Sequence, residues 1–357
     1  MKKILMFTKY SRMGASSRLR TFQYIPFLES NEFQVTVSYL FDDKYLSSYY
    51  SKNTKSVFKI AYCYFKRFIT LFSVKKYHLI YIEKELFPYL PSLFEWIMSI
   101  LNINYIVDYD DAIFHNYDSS NNKLVRFMLS KKIDKVMKYA KVVIVGNNYI
   151  YQHAELAGAK NIELIPTVVD ISRYPRLHKK LPCGQVTIGW IGSPYTQKYI
   201  LQIKSNIIDL LKNKKYKMVM IGANKDIVNH FPYCNIEVLP WSEDSEVSYI
   251  QKFDLGIMPI PDENFEKGKC GYKLIQYMAC GIPVVASSVG TNENIINHLG
   301  CGLLINEKNS WYDSINRIVD SDFVYEDFSR KARLSVEDKY SLQIQQDVLL
   351  KIISKVA

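Results

Sequence analysis

The chain has 357 residues, 48% hydrophobic and 23% charged, which at roughly 150 residues per domain reads as two globular domains and excludes a disordered chain. With 14 Gly and 12 Pro it is neither collagen-like nor of low complexity. A net charge of +11, from 46 Lys and Arg against 35 Asp and Glu, is unevenly spread along it.

The longest uncharged apolar stretch, 96–107, falls short of the ~20 residues of a membrane span. The apolar run 4–7 behind Lys2 and Lys3 is shorter than the ~7 to 15 residues of a signal-peptide core. A cytoplasmic location is therefore expected. Six cysteines (Cys63, Cys183, Cys234, Cys270, Cys280 and Cys301) form no C-x-x-C pair and have no His at zinc spacing, so they read as reduced packing residues.

In chain order, a first apolar strand at 4–8 runs into a loop, 9–20, that carries Gly14, Ser16, Ser17, Arg18 and Arg20 and opens a helix. Gly14 permits close backbone approach, a serine can cap the helix, and the arginines add fixed charge; this suits a phosphate-bearing ligand or, equally simply, a plain turn with solvated arginines. A second strand follows at 33–38. Between Lys44 and Lys76 lie eight basic residues (Lys44, Lys52, Lys55, Lys59, Lys66, Arg67, Lys75 and Lys76) and no acidic one. In the same segment Phe58, Tyr62, Phe65, Ile69 and Phe72 recur at helical spacing, giving an aromatic stripe beside a basic face. Such a helix either packs its stripe on the core or lies on an anionic membrane surface. Nucleic acid is not expected as a partner, because no recognition signature accompanies the patch.

Strands at 79–82, 105–107 and 142–145 complete a first series. Behind the fourth stand Asp108, Asp110 and Asp111, three carboxylates in four residues at a carboxyl strand end. They repel unless donors or a cation sit among them. Besides an acceptor-orienting role, the cluster is compatible with Mg²⁺ or Mn²⁺ against a diphosphate, with a phosphatase nucleophile loop, or with a purely structural cluster.

After a polar, Pro-containing stretch, 176–185, a second series of strands is expected at 186–191, 218–221, 236–239, 255–260, 283–286 and 302–305. The first strand of this series leads into Gly192, Ser193, Thr196 and Lys198, hydroxyls and a charge at a helix start. Further on, Lys269, Lys273 and Gln276 are spaced to share one helix face, with Gly281-Ile282-Pro283 ending the helix. Cations and an amide there suit a nucleotide diphosphate and its ribose. Final helices cover about 325–356. Alternating strands and helices make both series α/β: two doubly wound, Rossmann-like parallel sheets facing a cleft.

At Met278-Ala279-Cys280-Gly281-Ile282-Pro283-Val284-Val285 the chain resembles the family-4 glycosyltransferases of the GT-B fold, a resemblance that extends over essentially its whole length. The resemblance implies an acceptor-side domain (1–180), a nucleotide-sugar-binding domain (181–335) and a C-terminal helix (336–357) packing back on the first. It implies retaining, metal-independent transfer, without a cofactor, from a nucleotide-diphosphate sugar. A UDP-sugar is favoured and a GDP-sugar is compatible. The expected acceptor is a lipid-linked saccharide of bacterial surface polysaccharide, O-antigen or lipopolysaccharide assembly, at the inner face of the cell membrane. Asp110 and Asp111 take the catalytic, acceptor-side place. Gly192, Ser193, Thr196, Lys198, Glu266, Lys269, Lys273 and Gln276 take the donor side, and Gly14, Ser16, Arg18 and Arg20 an acceptor or phosphate loop. The chain departs from the family at its paired glutamates, whose register falls on Gly268 and Gln276; Glu266 and Glu263 stand near enough to replace the first. This departure keeps open a non-catalytic nucleotide-sugar-binding or assembly protein of the same fold, beside a metal-dependent transferase or phosphatase using Asp108, Asp110 and Asp111.

Overall fold

Short apolar runs become the strands. In the computed structural model, which describes residues 1–52, 57–176 and 179–357, the first six are β1 (Lys2–Tyr10), β2 (Phe33–Phe41), β3 (Leu79–Glu83), β4 (Tyr105–Tyr109), β5 (Val142–Val145) and β6 (Ile162–Leu164). They form one parallel sheet in the order β2-β1-β3-β4-β5-β6. Ile4, Leu5, Met6 and Phe7 are buried in succession, without alternation, because helices cover both faces of the sheet. The second six are β7 (Val186–Ile191), β8 (Tyr216–Ile221), β9 (Ile236–Leu239), β10 (Leu255–Met258), β11 (Val284–Ser287) and β12 (Gly302–Ile305). They are also parallel, in the order β12-β11-β10-β7-β8-β9. Both sheets expected from the sequence are thus present; β6, three residues with no fully buried side chain, was not expected.

The chain clusters into two units: Met1–Thr167 with Gly268–Cys270 and Leu342–Ala357, and Val168–Lys267 with Gly271–Ser341. Residues 168–176 lie with the second unit, where Val169 N–H donates to the Tyr340 carbonyl (3.1 Å). Helix Asp322–Lys339 belongs there too, tied by Ser329 Oγ to the Gly281 carbonyl (2.6 Å) and by Arg333 to the Ala279 and Tyr174 carbonyls. Helix Leu342–Val356 belongs to the first unit. In each sheet the strand order reverses at one place, β1/β3 in the first and β7/β10 in the second. Doubly wound sheets bind ligands at the carboxyl ends of such strands.

Helix Val57–Leu71 in the first unit shows how the basic segment folds. Its inner face is Tyr64, Arg67 and Leu71; Tyr64 and Leu71 pack on the core. The aromatic stripe faces outward, with Phe58 89% and Phe72 74% exposed. Arg67 is not part of the basic face: it is buried, and its guanidinium donates to the Thr8, Ser38 and Leu86 carbonyls. Burial brings its pKa down to about 9, against the pull of Glu83. Lys44, Lys59, Lys66, Lys75 and Lys76 are exposed, and Lys55 lies outside the described residues. No described helix is long and apolar enough to cross a membrane.

Candidate functional site

In the first unit the carboxyl ends of β1, β3 and β4 gather charge. In the turn after β1, Gly14 lies close against Tyr10: a Cβ there would stand 2.4 Å from that of Tyr10. Helix Ala15–Arg20 has no side-chain cap. Its serines turn instead to acids, Ser16 Oγ to Asp110 (2.5 Å) and Ser17 Oγ to Glu83 (2.6 Å). Arg20 does not reach solvent either. Its Nε donates to Asp108 (2.9 Å), its Nη2 pairs with the same carboxylate (2.5 Å) and its Nη1 donates to the Ile165 carbonyl (2.8 Å). Tyr81 also donates to Asp108 (2.5 Å). Arg18 is buried as well. The loop that the sequence offered to a phosphate is thus committed largely to carboxylates of its own unit.

The three aspartates separate by role. Asp108 is closed off by Arg20 and Tyr81. Asp110 is buried and faces Lys84, whose Nζ lies 2.8 Å from its Oδ1. Burial alone pushes the Asp110 carboxyl up; the charge and hydrogen bond of Lys84, then Ser16 and Arg20, outweigh it and bring it to about 2. Half-buried Asp111 moves the other way, pushed up by burial and by the charge of Asp110, against Lys84 and Lys269. Among the described residues no three His, Cys, Asp or Glu side chains are grouped to hold a metal ion.

The lowered Asp110 pKa makes a pH prediction. An acid depressed from 3.8 to about 2 contributes stability that is complete above its unfolded pKa and disappears as pH falls through the folded one. Asp110→Asn should therefore be less stable than wild type above about pH 4, and the gap should close toward about pH 2, where the wild-type carboxyl is neutral too. Urea midpoints at a series of pH values check this; a gap constant with pH would mean that the Asp110 carboxyl titrates alike in the folded and unfolded chain and is not lowered by folding.

In the second unit the turn after β7 is self-contained: Ser193 N–H donates to Thr196 Oγ1 (3.0 Å), while exposed Lys198 lies over the Tyr195 and Tyr199 rings (4.9 and 5.1 Å). Gly192 N–H donates to the Ile221 carbonyl (2.9 Å), joining the ends of β7 and β8. The helix expected to hold both lysines begins later than the spacing suggested, at Tyr272, with Gly271 in the left-handed region (φ 67°) as its N-cap. Lys273 is in its first turn, over the fully buried Trp190 ring (4.8 Å). Lys269 precedes the helix and clusters with the first unit, so the two lysines do not share a helix face. Gln276 is buried, and its Nε2 donates to Tyr174 Oη (3.3 Å).

The departures from the family glutamates have physical counterparts. Gly268 sits in the first unit with its Cα against Ala112; a Cβ there would come within 2.3 Å of the alanine methyl, so no glutamate fits. Asn147 Nδ2 fixes its carbonyl (2.9 Å). Glu266 is buried and accepts from Tyr199 Oη (2.5 Å), which occupies the carboxylate inside its own unit; Glu263 is exposed. Sequence reasoning missed Glu83 and Lys84, Trp190 beneath Lys273, and Tyr174 and Tyr199 as partners of Gln276 and Glu266. The signal for the first pair was available: Glu83 and Lys84 directly follow the apolar run Leu79 to Ile82, at the carboxyl end of β3.

Two doubly wound parallel sheets of this kind define the GT-B fold. Residues 185–321, which contain β7 to β12, match the family model described as glycosyl transferases group 1. Solved structures of similar fold include sucrose-phosphate synthase from Thermosynechococcus elongatus, with TM-score 0.75 and 14% identity over 100% of this chain and 99% of that one. Anabaena HepE, solved in complex with UDP, has TM-score 0.71 and 14% identity over 99% of this chain and 100% of that one. WaaG, a glycosyltransferase involved in lipopolysaccharide biosynthesis, has TM-score 0.70 and 12% identity over 97% and 99%. No curated protein matches the chain by sequence.

Proposed function

We propose that this chain is a metal-independent, retaining glycosyltransferase. It moves a sugar from a UDP-sugar to a lipid-linked saccharide in bacterial surface polysaccharide assembly. The observation that carries the donor half is Lys273, held over Trp190 in the first turn of a helix whose positive end favours anions, within the segment that matches glycosyl transferases group 1. A diphosphate is the ligand chemistry that such a charge and helix end recognise. HepE crystallises with UDP and with UDP-glucose, which favours uridine over guanosine. In the mechanism we favour, the departing phosphate oxygen helps to take the acceptor's proton on the face it leaves, so configuration is retained. Asp110 and Asp111 orient the acceptor hydroxyl and balance positive charge developing at the sugar. Calorimetric titration with UDP, GDP and ADP tests the donor reading: UDP should bind tightest, and equal weak binding of all three would contradict it.

The acceptor half rests on the first unit's surface. Helix Val57–Leu71 presents Phe58, Tyr62, Phe65 and Ile69 outward, with Phe72 following it and Lys59, Lys66, Lys75 and Lys76 beside them. Helix Leu93–Ile100 adds exposed Leu93, Trp96, Ile97 and Ile100, and an apolar groove of about 410 Å³ runs between Phe68, Leu71 and Phe72 on one side and Phe94, Ile97 and Leu101 on the other. Apolar side chains with cations beside them match an anionic membrane surface, at ~1 kcal/mol per engaged lysine. Sedimentation with vesicles containing anionic lipid should carry down the wild type at low salt and release it at high salt. Changing Lys59, Lys66, Lys75 and Lys76 to Gln should abolish the effect; Arg67, being buried, is left unchanged. A wild type that stays in the supernatant would favour a soluble acceptor.

A second reading is favoured by one observation: Gly268 admits no side chain and Glu266 is bonded to Tyr199, so no glutamate stands in the family's first position. A nucleotide-sugar-binding protein without turnover would have that feature.

A further inference from the structure

Lys84 has no role in the donor and acceptor assignments above, yet the first unit is built around it. It follows β3 directly, at the strand-order reversal, in the left-handed region (φ 67°). A lysine pays for that conformation, and such strain persists only where the surroundings over-determine it. They do so here. Lys84 N–H donates to the Asp108 carbonyl (2.9 Å). The next residues are clamped from three sides: Glu85 accepts from Tyr117 Oη (2.7 Å) and from Lys132 Nζ, Leu86 N–H donates to Glu95 Oε1 (3.1 Å), and the Leu86 carbonyl accepts from Arg67 (3.1 Å). Lys132, Glu95 and Arg67, all buried, thus help to fix the three residues Lys84, Glu85 and Leu86. Their combined effect is to aim one ammonium at one carboxylate, Lys84 Nζ at Asp110 Oδ1, both buried.

We propose that Lys84 is a positioning residue for Asp110: the rigid turn holds its ammonium so that the Asp110 carboxylate, which also accepts from Ser16 Oγ, stays charged and fixed in place at the carboxyl ends of β1, β3 and β4. The charge balance requires it. The groups acting on Asp110 and Lys84 are Ser16 and Arg20 from the helix after β1, Glu83 from β3, Asp111 from the turn after β4, and Lys9 from β1. Glu83 and Asp111 both disfavour a charged Asp110. Arg20 is spent on Asp108, and Lys9 is itself pushed down by burial and by Lys84. Without Lys84 a buried Asp110 would share its site with two other acids, and burial would push its carboxyl upward. A neutral carboxyl accepts a hydrogen bond from an acceptor hydroxyl more weakly than a carboxylate and offsets no positive charge.

The inference rests on Asp110 acting in the proposed transfer, and the test separates the two. The carboxyl carbons of ¹³C-aspartate-labelled protein are titrated by NMR, with the Asp110 signal assigned by its loss in Asp110→Asn. In wild type it should stay ionised down to about pH 3; in Lys84→Gln its titration should move up by on the order of 2 pH units or more, and Lys84→Arg should bring it back. Lys84→Gly, which relieves the backbone strain, should behave like Lys84→Gln, so that a shift reports lost charge and not a disturbed turn. An Asp110 that titrates at the same pH in wild type, Lys84→Gln and Lys84→Gly overturns the proposal. UDP release from UDP-glucose is followed in parallel. If Asp110→Asn releases UDP as fast as wild type, it is the role of Asp110 that fails, whatever the titration shows.

Discussion

Asp110→Asn is expected to lower kcat by about 10²- to 10³-fold, within the range of groups that hold or move a proton at a reacting atom, while the affinity for UDP stays within about twofold of wild type. The split follows from where the residue stands. Asp110 lies in the first unit, bonded to Ser16 and Lys84, whereas Lys273, which we propose meets the diphosphate, lies in the second. Asparagine keeps the size and one acceptor oxygen but loses the charge, so a substitution that leaves UDP affinity intact and turnover low isolates the charge. Steady-state kinetics at saturating donor with UDP calorimetry provides the check. A matched fall in both would mean that the buried ion pair with Lys84 mainly supports the fold, and thermal unfolding of the variant would show it.

Lys273→Ala should weaken UDP binding by about 2 to 3 kcal/mol, on the order of 30- to 150-fold, the scale of a charge-assisted hydrogen bond in a partly buried site. Uridine, which lacks the phosphates, should bind almost unchanged. The indole of Trp190 beneath the ammonium holds it in place through a cation–π contact at 4.8 Å. Trp190→Phe should therefore give a smaller loss of the same selectivity. Equal weakening of UDP and uridine by Lys273→Ala would show that the side chain supports the helix and not the phosphates. Calorimetry with the two ligands distinguishes these outcomes.

The layout of the fold was legible because parallel strands buried on both faces are written as continuous apolar runs, such as Ile4 to Phe7 and Val142 to Val145. Strand β6, Ile-Glu-Leu at a sheet edge, carries no such run and could not be found that way. Charged residues were harder for a different reason. The position of Glu83-Lys84-Glu85 behind an apolar run marks it as a strand end, but nothing local says that Lys84 meets Asp110 or that Glu85 meets Lys132. Arg67 reads as one more cation of a basic face, yet it shares the inner side of its helix with Tyr64 and Leu71 and spends its donors on three carbonyls. The aromatic stripe itself was visible, but not the side it faces: the two apolar rows of helix Val57–Leu71 differ by one position, and only the fold decides which meets the core. Likewise the i, i+4 spacing of Lys269 and Lys273 assumed a continuous helix, which the left-handed Gly271 interrupts.

In the proposed reaction this chain turns over a nucleotide sugar without the paired glutamates of the family-4 glycosyltransferases that it resembles. Its most direct test is release of nucleotide diphosphate from a panel of UDP-, GDP- and ADP-sugars, with a lipid-linked saccharide as acceptor and EDTA present, and with the anomeric configuration of the product read by NMR. The account predicts release from a UDP-sugar in the presence of EDTA and a product of retained configuration. Tight UDP binding without release from any sugar in the panel would contradict it and leave the chain as a nucleotide-sugar-binding protein on a glycosyltransferase fold.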